Sequence, residues 1–425
     1  MTAQFKNLPI IGGLLGNTIE WYDFALYAYT APIIAHLFFP SQEPSTSEFL
    51  SLVILAGGFI ARPIGGAFFG YIGDKYGRKF ALLISIILMT MATMAIGLLP
   101  VFSEIGIFAP ILLSICLLFQ GFSVSGEFTG SASFLTEYVS TSRRGLIGSC
   151  IFASCYAGKF GASIIITLLS LMLSTSAMVN WGWRLPFIFA GLLGIVILFV
   201  RLKLDETPIF IKYLSNTDLT KINPLTTALV KNWKSIINII FLCSSMSIGS
   251  YLIVGFMPMY MVTKLHLSLG KSTLITSISL SIVILLLPFI GRLSDQFGRK
   301  SIMLLGSVGM LVLSYPLFYL LNQNIVFLYF GEATIAILLA IVAAPIMATI
   351  NEIYPTSIRY SGSAIAYNIG LMLFGGTTPL IAMWLVNTFK NPALPGAYLA
   401  FGALTTLISL PFIAERSNLQ LDMIT

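Results

Sequence analysis

The amino-acid sequence predicts an all-α integral membrane protein with twelve transmembrane helices in two pseudo-symmetric six-helix lobes. Three observations carry this. Of 425 residues, 57% are hydrophobic and only 9% charged, with a mean hydropathy of +0.93, a balance foreign to ordinary water-soluble globules. Twelve apolar runs of about 20 residues or more follow one another, each long enough to cross the ~30 Å hydrocarbon core as a helix. The second half of the chain also repeats motifs of the first in the same order. Backbone that faces lipid must hydrogen-bond to itself, so every run is assigned to helix.

In chain order the runs cover residues 8–39, 48–73, 80–100, 106–136, 145–173 and 182–200, then 234–263, 270–292, 301–321, 325–351, 358–388 and 396–414. The opening "MTAQFKNLP" has no small-residue cleavage site, so the first run reads as a retained span and not as a signal peptide. Residues 201–233, the longest polar connection, fall after the sixth run and read as a linker between an N-terminal lobe, 1–200, and a C-terminal lobe, 234–425. Lysine and arginine gather on the side that holds this linker and both termini, which makes that side cytoplasmic. The expectation is a multi-pass protein of the plasma membrane, in a bacterium the inner membrane. The net charge of +7 then reflects topology and contact with the lipid surface, and nothing in it calls for nucleic acid. Cys116, Cys150, Cys155 and Cys243 lie within spans without metal-ligand spacing and read as packing residues.

The duplication is specific. After the second run comes "GYIGDKYGRK", Gly70 to Lys79, and after the eighth comes "GRLSDQFGRK", Gly291 to Lys300; they share G-x-x-x-D-x-x-G-R-K. After the fourth run "TEYVSTSRRG" sets Glu137 seven residues before Arg144, and after the tenth "NEIYPTSIRYSG" sets Glu352 seven residues before Arg359. Duplicated six-helix halves joined by such loops resemble the major facilitator superfamily, whose halves rock around a site near the bilayer midplane. The resemblance implies that the two loops act as latches on the cytoplasmic side, with Asp74, Arg78, Asp295, Arg299, Glu137, Arg144, Glu352 and Arg359 as their working residues. Positive-inside topology alone is the competing account of the basic residues, but not of the spaced Gly-Asp-Gly pattern.

A narrower resemblance covers nearly the whole chain. "GNTIEWYDFALY" (Gly16 to Tyr27), "FIARPIGGAFFGYIGDKYGRK", "FQGFSVSGEFTG", "WGWRLPF", "LDETPIF" and "YPTSIRYSG" occur in the order and spacing of the metabolite:proton symporter family. Members of that family carry proline and betaine, 2-oxoglutarate, citrate or shikimate. Ser125 departs from the family pattern, which has a second glycine before the acid that stands here as Glu127.

Ionisable residues inside spans are the candidate working parts, because each costs at least about 2.5 kcal/mol at mid-membrane and needs a partner or a role. The first half holds five: Glu20, Asp23, Arg62, Glu127 and Lys159. At 1.5 Å per residue all five fall in the middle third of the bilayer, where they are able to meet. Helical spacing puts Asn17, Glu20, Asp23 and Tyr27 on one stripe and Gln120, Ser123, Glu127 and Ser131 on another, and these faces are expected to line the cavity. Three acids and two bases leave one excess negative charge, which a single proton neutralises; Glu20, Asp23 and Glu127 are therefore the proton-coupling candidates. The competing account of Arg62 is a fixed ion pair with Asp23 or Glu127. For Lys159 two roles stand level: binding a substrate carboxylate, or standing partner of Glu127. Asn17, Tyr27, Arg62, Gln120 and Lys159 are the substrate-binding candidates of this half; Tyr251 and Asn368 join them from the second half. Glu332 reads as a structural partner near the outer mouth, and His36 and His266 as surface residues without metal spacing.

Several classes drop out. "LGKST", Leu269 to Thr273, ends like a phosphate-binding loop but has leucine at 265 where glycine is required. Buried acids suit general acid–base chemistry, yet there is no nucleophile or metal constellation beside them, so an enzyme is not expected and no cofactor is called for. The reading is a secondary active transporter, functional as a monomer, that imports a small polar metabolite with a proton. The partners are that solute, protons and the bilayer. A proton-coupled exporter of the same superfamily is the alternative. Arg62 and Lys159 point to a carboxylate or to the acid end of a zwitterion such as proline or betaine.

Overall fold

The computed structural model describes residues 8–137, 139–203, 205–206, 211, 224–321 and 323–417, and contains no strand among them. Most of the linker expected at 201–233 lies outside the described residues. Twelve long helices account for nearly everything else. In the first half they are α1 (Leu8–Phe38), α2 (Pro44–Tyr76), α3 (Arg78–Leu98), α4 (Phe108–Thr136), α5 (Arg144–Met172) and α6 (Arg184–Leu202). The second half supplies α7 (Trp233–Thr263), α8 (Leu269–Phe297), α9 (Arg299–Leu321), α10 (Ile325–Ile353), α11 (Arg359–Phe389) and α12 (Leu394–Phe412). These agree with the apolar runs to within a few residues, because a span is delimited by the bilayer it must cross. The one consequential shift is in α6, whose last turn runs on to include Arg201.

Within the first half α1 packs on α5, α2 on α4 and α3 on α6, while α8, α9 and α12 surround α10 and its neighbours in the second. The halves meet along α5 with α8, α2 with α11, and α1 with the outer part of α7. Helices α3, α6, α9 and α12 stand at the periphery, and their exposed large side chains are apolar: Met91, Phe199, Val312 and Ile408 all face outward, as a lipid-facing surface requires. Two helices widen at the centre. A single π-type turn at Leu252–Phe256 in α7 directly follows Tyr251, and one at Met372–Gly376 in α11 begins one turn after the Tyr367–Asn368 pair; such wide turns recur beside functional sites.

The repeated loops form equivalent corners. Gly77 between α2 and α3 has φ 114°, and Gly298 between α8 and α9 has φ 87°, values that side chains with a Cβ rarely adopt. The helix that follows each corner is capped by a glutamate lying beyond the last helix of its own lobe. Glu206 accepts the Lys79 backbone N–H at 3.0 Å, and Glu415 accepts those of Arg299 (3.0 Å) and Lys300 (3.1 Å). An acid at these N-termini satisfies open backbone donors and complements the helix dipole.

Candidate functional site

At the centre of the molecule, where the halves meet, Trp21 of α1 lies between two buried cations. The Arg62 guanidinium of α2 is 5.5 Å from its ring centroid and also faces Phe24 (5.6 Å) and Phe59 (5.4 Å). The Lys159 ammonium of α5 is 4.4 Å from the same ring and faces Tyr156 (4.6 Å) and Tyr251 (5.4 Å). Arg62 is 0% and Lys159 3% exposed. Neither forms an ion pair among the described residues. Arg62 donates through Nε to Asn368 Oδ1 at 3.1 Å, leaving Nη1 and Nη2 without hydrogen-bond partners, and Lys159 donates to Ser250 Oγ at 3.0 Å. Ring faces carry negative potential, and they partly offset the cost of burying these charges.

Asn368 is the joint between halves here. Its Nδ2 donates to Ser125 O (3.0 Å) and Ala364 O (2.8 Å) while its Oδ1 orients Arg62. Ser125, where the sequence departs from the glycine of the pattern it resembles, thus contributes its backbone carbonyl to the site. Tyr367 stacks on Phe128 at 4.9 Å, and Tyr251 meets Phe59 edge-on at 5.2 Å. Four of the predicted substrate-binding candidates, Arg62, Lys159, Tyr251 and Asn368, therefore converge here. The aromatic walls Trp21, Phe24, Phe59 and Tyr156 were missed; the tryptophan inside "GNTIEWYDFALY" was the available signal, overshadowed by the acids beside it.

The expectation that all five intramembrane charges meet is not met. The two polar stripes turn into the N-terminal lobe instead of lining the interface. Asn17 donates to Ile151 O (3.0 Å) and Ser154 Oγ (2.8 Å) of α5, and Tyr27 to Ser51 O (3.0 Å) of α2. Gln120 donates to Thr93 Oγ1 of α3 at 2.7 Å, and Thr93 in turn neighbours Asp23. Asn17, Tyr27 and Gln120 thus bind helices together. Periodicity identifies the face that shares a polar character but not the neighbour it meets, and a buried polar group takes whichever partner satisfies it.

Glu127 is placed differently from either expectation. It pairs with both terminal nitrogens of Arg201, not with Arg62 or Lys159, and also accepts from Ser85 (3.2 Å) and Ser131 (2.9 Å). Arg201 is only 2% exposed. Its path to Glu127 runs over Gly16, where a Cβ would lie 2.0 Å from Nη2. The first glycine of the "GNTIEW" motif is thus required by the arginine of a helix far away in sequence. Counting Arg201, the buried charges of this lobe apart from the latch residues are three acids (Glu20, Asp23, Glu127) and three bases (Arg62, Lys159, Arg201), so the excess negative charge read from the sequence does not survive. Among the described residues Glu20 and Asp23 form no ion pair, and both Glu20 oxygens and Asp23 Oδ1 are buried without hydrogen-bond partners. In the other lobe Glu332 accepts from Ser279 at 2.8 Å, in keeping with a structural partner.

At the face carrying the repeated loops, the latch residues assemble in two equivalent halves. Asp74 bonds Arg78 (3.1 Å) and accepts the backbone N–H (2.8 Å) and hydroxyl (2.6 Å) of Ser361 at the start of α11. Asp295 bonds Arg299 (2.8 Å) and accepts the backbone N–H groups of Gly145 (2.8 Å) and Leu146 (3.0 Å) at the start of α5. Each aspartate therefore caps a helix of the opposite lobe. The glutamates follow the same rule. Arg78 approaches Glu137 at 3.6 Å and Arg299 approaches Glu352 at 3.0 Å within their lobes; Glu137 then pairs with Arg359 at 3.2 Å and Glu352 with Arg144 at 3.7 Å across the interface. Toward the opposite face, Ser163 meets Ser277 (2.7 Å) and Thr167 meets Thr273 (2.6 Å) between α5 and α8. The lobes touch on both sides of the central site, which is occluded. His36 and His266 are exposed, the four cysteines are unpaired, and no cluster suited to a metal occurs among the described residues.

Two six-helix lobes, a charged central site sealed from both faces and a duplicated interlobe latch define a membrane transporter. The chain belongs to the sugar (and other) transporter family, which it matches over residues 10–425. It is 37% identical to the proline/betaine transporter of Escherichia coli K12 over 96% of this chain and 83% of that protein. The glycine betaine/proline/ectoine/pipecolic acid transporter OusA of Dickeya dadantii is also 37% identical, over 96% of this chain and 83% of that protein. Among solved structures, the major facilitator proton:xylose symporter XylE bound to 6-bromo-6-deoxy-D-glucose superposes with a TM-score of 0.82 at 18% identity, covering 100% of this chain and 99% of that one. The fold is the major facilitator fold that the repeated motifs predict.

Proposed function

We propose that this transporter imports a small zwitterionic osmolyte, of the kind named for its proline/betaine relatives, together with a proton. The lobes at 1–200 and 234–425 alternate access around the central site, and one chain suffices. The observation that carries this reading is Arg62: a fully buried guanidinium whose two terminal nitrogens have no protein acceptor and whose Nε is fixed by Asn368. That planar fork suits a carboxylate in bidentate geometry, and the rings of Trp21, Phe24 and Phe59 around it offer an apolar or cationic remainder aromatic faces in place of competing acceptors. The relatives' names favour the zwitterionic branch over metabolic acids.

For the proton, Glu20 and Asp23 are the supported carriers, since Glu127 is held by Arg201. Both Glu20 oxygens are buried without hydrogen-bond partners among the described residues, and an unpaired buried charge is costly; a cycle that carries such a carboxyl between a closed interior and water is able to move a proton. The membrane potential is adequate: about 2.3 kcal/mol per charge per 100 mV is nearly two decades of concentration. The latch face, with the basic loops and both ends of the described chain, is the cytoplasmic face of the inner membrane on this reading.

The test is uptake in proteoliposomes of labelled glycine betaine, proline and 2-oxoglutarate under an inward proton gradient, with and without uncoupler. Uncoupler-sensitive accumulation of betaine or proline is the expected result. Accumulation of 2-oxoglutarate alone moves the substrate to the metabolic acids, and proton-driven efflux without uptake reverses the direction to export.

A further inference from the structure

Lys159 sits in a box that is built for a cation the protein does not need. Its ammonium is enclosed by the rings of Trp21, Tyr156 and Tyr251 at 4.4, 4.6 and 5.4 Å, donates to Ser250 Oγ, neighbours Cys155, and has no carboxylate partner among the described residues. A lysine meant to hold a carboxylate would present its N–H donors to the open site; here aromatic faces cover them. Three aromatic faces around one positive centre are the arrangement that recognises quaternary ammonium groups. The box is also assembled from both lobes. Trp21 and Tyr156 belong to the first, Ser250 and Tyr251 to the second, so whatever cation fills it ties the lobes together in the occluded state.

We propose that the Trp21–Tyr156–Tyr251 box is the binding site for the ammonium end of the substrate, and that Lys159 occupies it as a tethered substitute when the transporter is empty. This rests on the zwitterionic-substrate reading and deepens it. Arg62 takes the carboxylate, and the substrate's ammonium displaces Lys159 from the box. Trp21 borders both Arg62 (5.5 Å) and Lys159 (4.4 Å), so the two cations lie no more than about 10 Å apart and a short zwitterion can span the site. The tethered cation also explains how the empty carrier reaches an occluded state and returns for another substrate, a step an importer must make without cargo.

The experiment compares wild type with Lys159→Met and with Lys159→Met carrying Tyr156→Leu. First, thermal stabilisation of the purified proteins by tetramethylammonium chloride reads the box alone. Lys159→Met is expected to bind this ion at least about tenfold more tightly than wild type, and Tyr156→Leu to cancel the gain. Equal stabilisation of wild type and Lys159→Met, or none in either, overturns the proposal. Second, glycine betaine transport reads the cycle: in Lys159→Met the apparent affinity rises and the ratio of homologous exchange to net uptake increases severalfold. An affinity that falls instead shows that Lys159 holds the carboxylate and is no substitute cation. If wild type accumulates neither betaine nor proline, the proposed substrate fails, while a positive tetramethylammonium result still upholds the box.

Discussion

Glu137 of the first lobe pairs with Arg359 of the second at 3.2 Å, although its own repeat supplies Arg144 seven residues away; Arg144 instead pairs with Glu352 of the second lobe at 3.7 Å. The duplication has exchanged partners, so each copy of the motif is completed only by the other. This makes the latch a property of the closed interface and not of either lobe alone. Removing one of these glutamates deletes the ion pair that crosses the closed interface, and the balance shifts toward opening. Glu137→Gln and Glu352→Gln are each expected to speed alkylation of a cysteine placed at Ala364, buried between α11 and α2, by at least about fivefold. An effect from one glutamate and none from the other would show that the two halves of the latch do not share the load.

Gly16 predicts a packing cost. A methyl there meets Arg201 at 2.0 Å, whereas a Cβ on Gly57 meets nothing within 4 Å. Gly16→Ala should destabilise the protein by about 1–3 kcal/mol by overpacking, while Gly57→Ala is neutral or slightly stabilising through helix propensity. Melting of the two variants in the same detergent compares them directly.

Arg62→Lys keeps the positive charge and removes the planar fork. The expected outcome is an increase of about tenfold or more in the KM for proline with protein yield unchanged, because a point charge does not replace a bidentate donor. A KM within about twofold of wild type would mean that Arg62 contributes charge alone.

The acids separate by partner. Glu20→Gln should lose uphill accumulation and the fall of uptake with rising external pH while retaining proportionally more exchange, since a permanently neutral side chain needs no proton. Glu127→Gln should instead lose stability, by about 3–5 kcal/mol, because it strands Arg201 in a buried position. Uptake and melting measured on both variants distinguish coupling from structure; a Glu127→Gln protein that is stable but uncoupled would return Glu127 to the proton path.

The sequence by itself determined the membrane location, the twelve helices, the duplication and the family, because each of these is written in local terms: the length of an apolar run, the spacing of Gly, Asp and Arg in a loop, the order of motifs. It also singled out Arg62 and Lys159, since a charge in an apolar span is conspicuous wherever its neighbours are. Partners were another matter. Arg201 looked like the first residue of a polar linker until α6 ran on by two residues and brought it to Glu127, and the stripes through Asn17 and Gln120 had no means of declaring which helix they would meet. The exchange of Glu137 and Glu352 between lobes, the gap that Gly16 leaves for Arg201 and the ring box around Lys159 all depend on contacts between helices far apart in the chain. Helical periodicity fixes which side chains share a face; only the packing of one helix against another decides what that face touches, and in a low-dielectric interior that choice of neighbour decides which charges are paired and which remain open for substrate and proton.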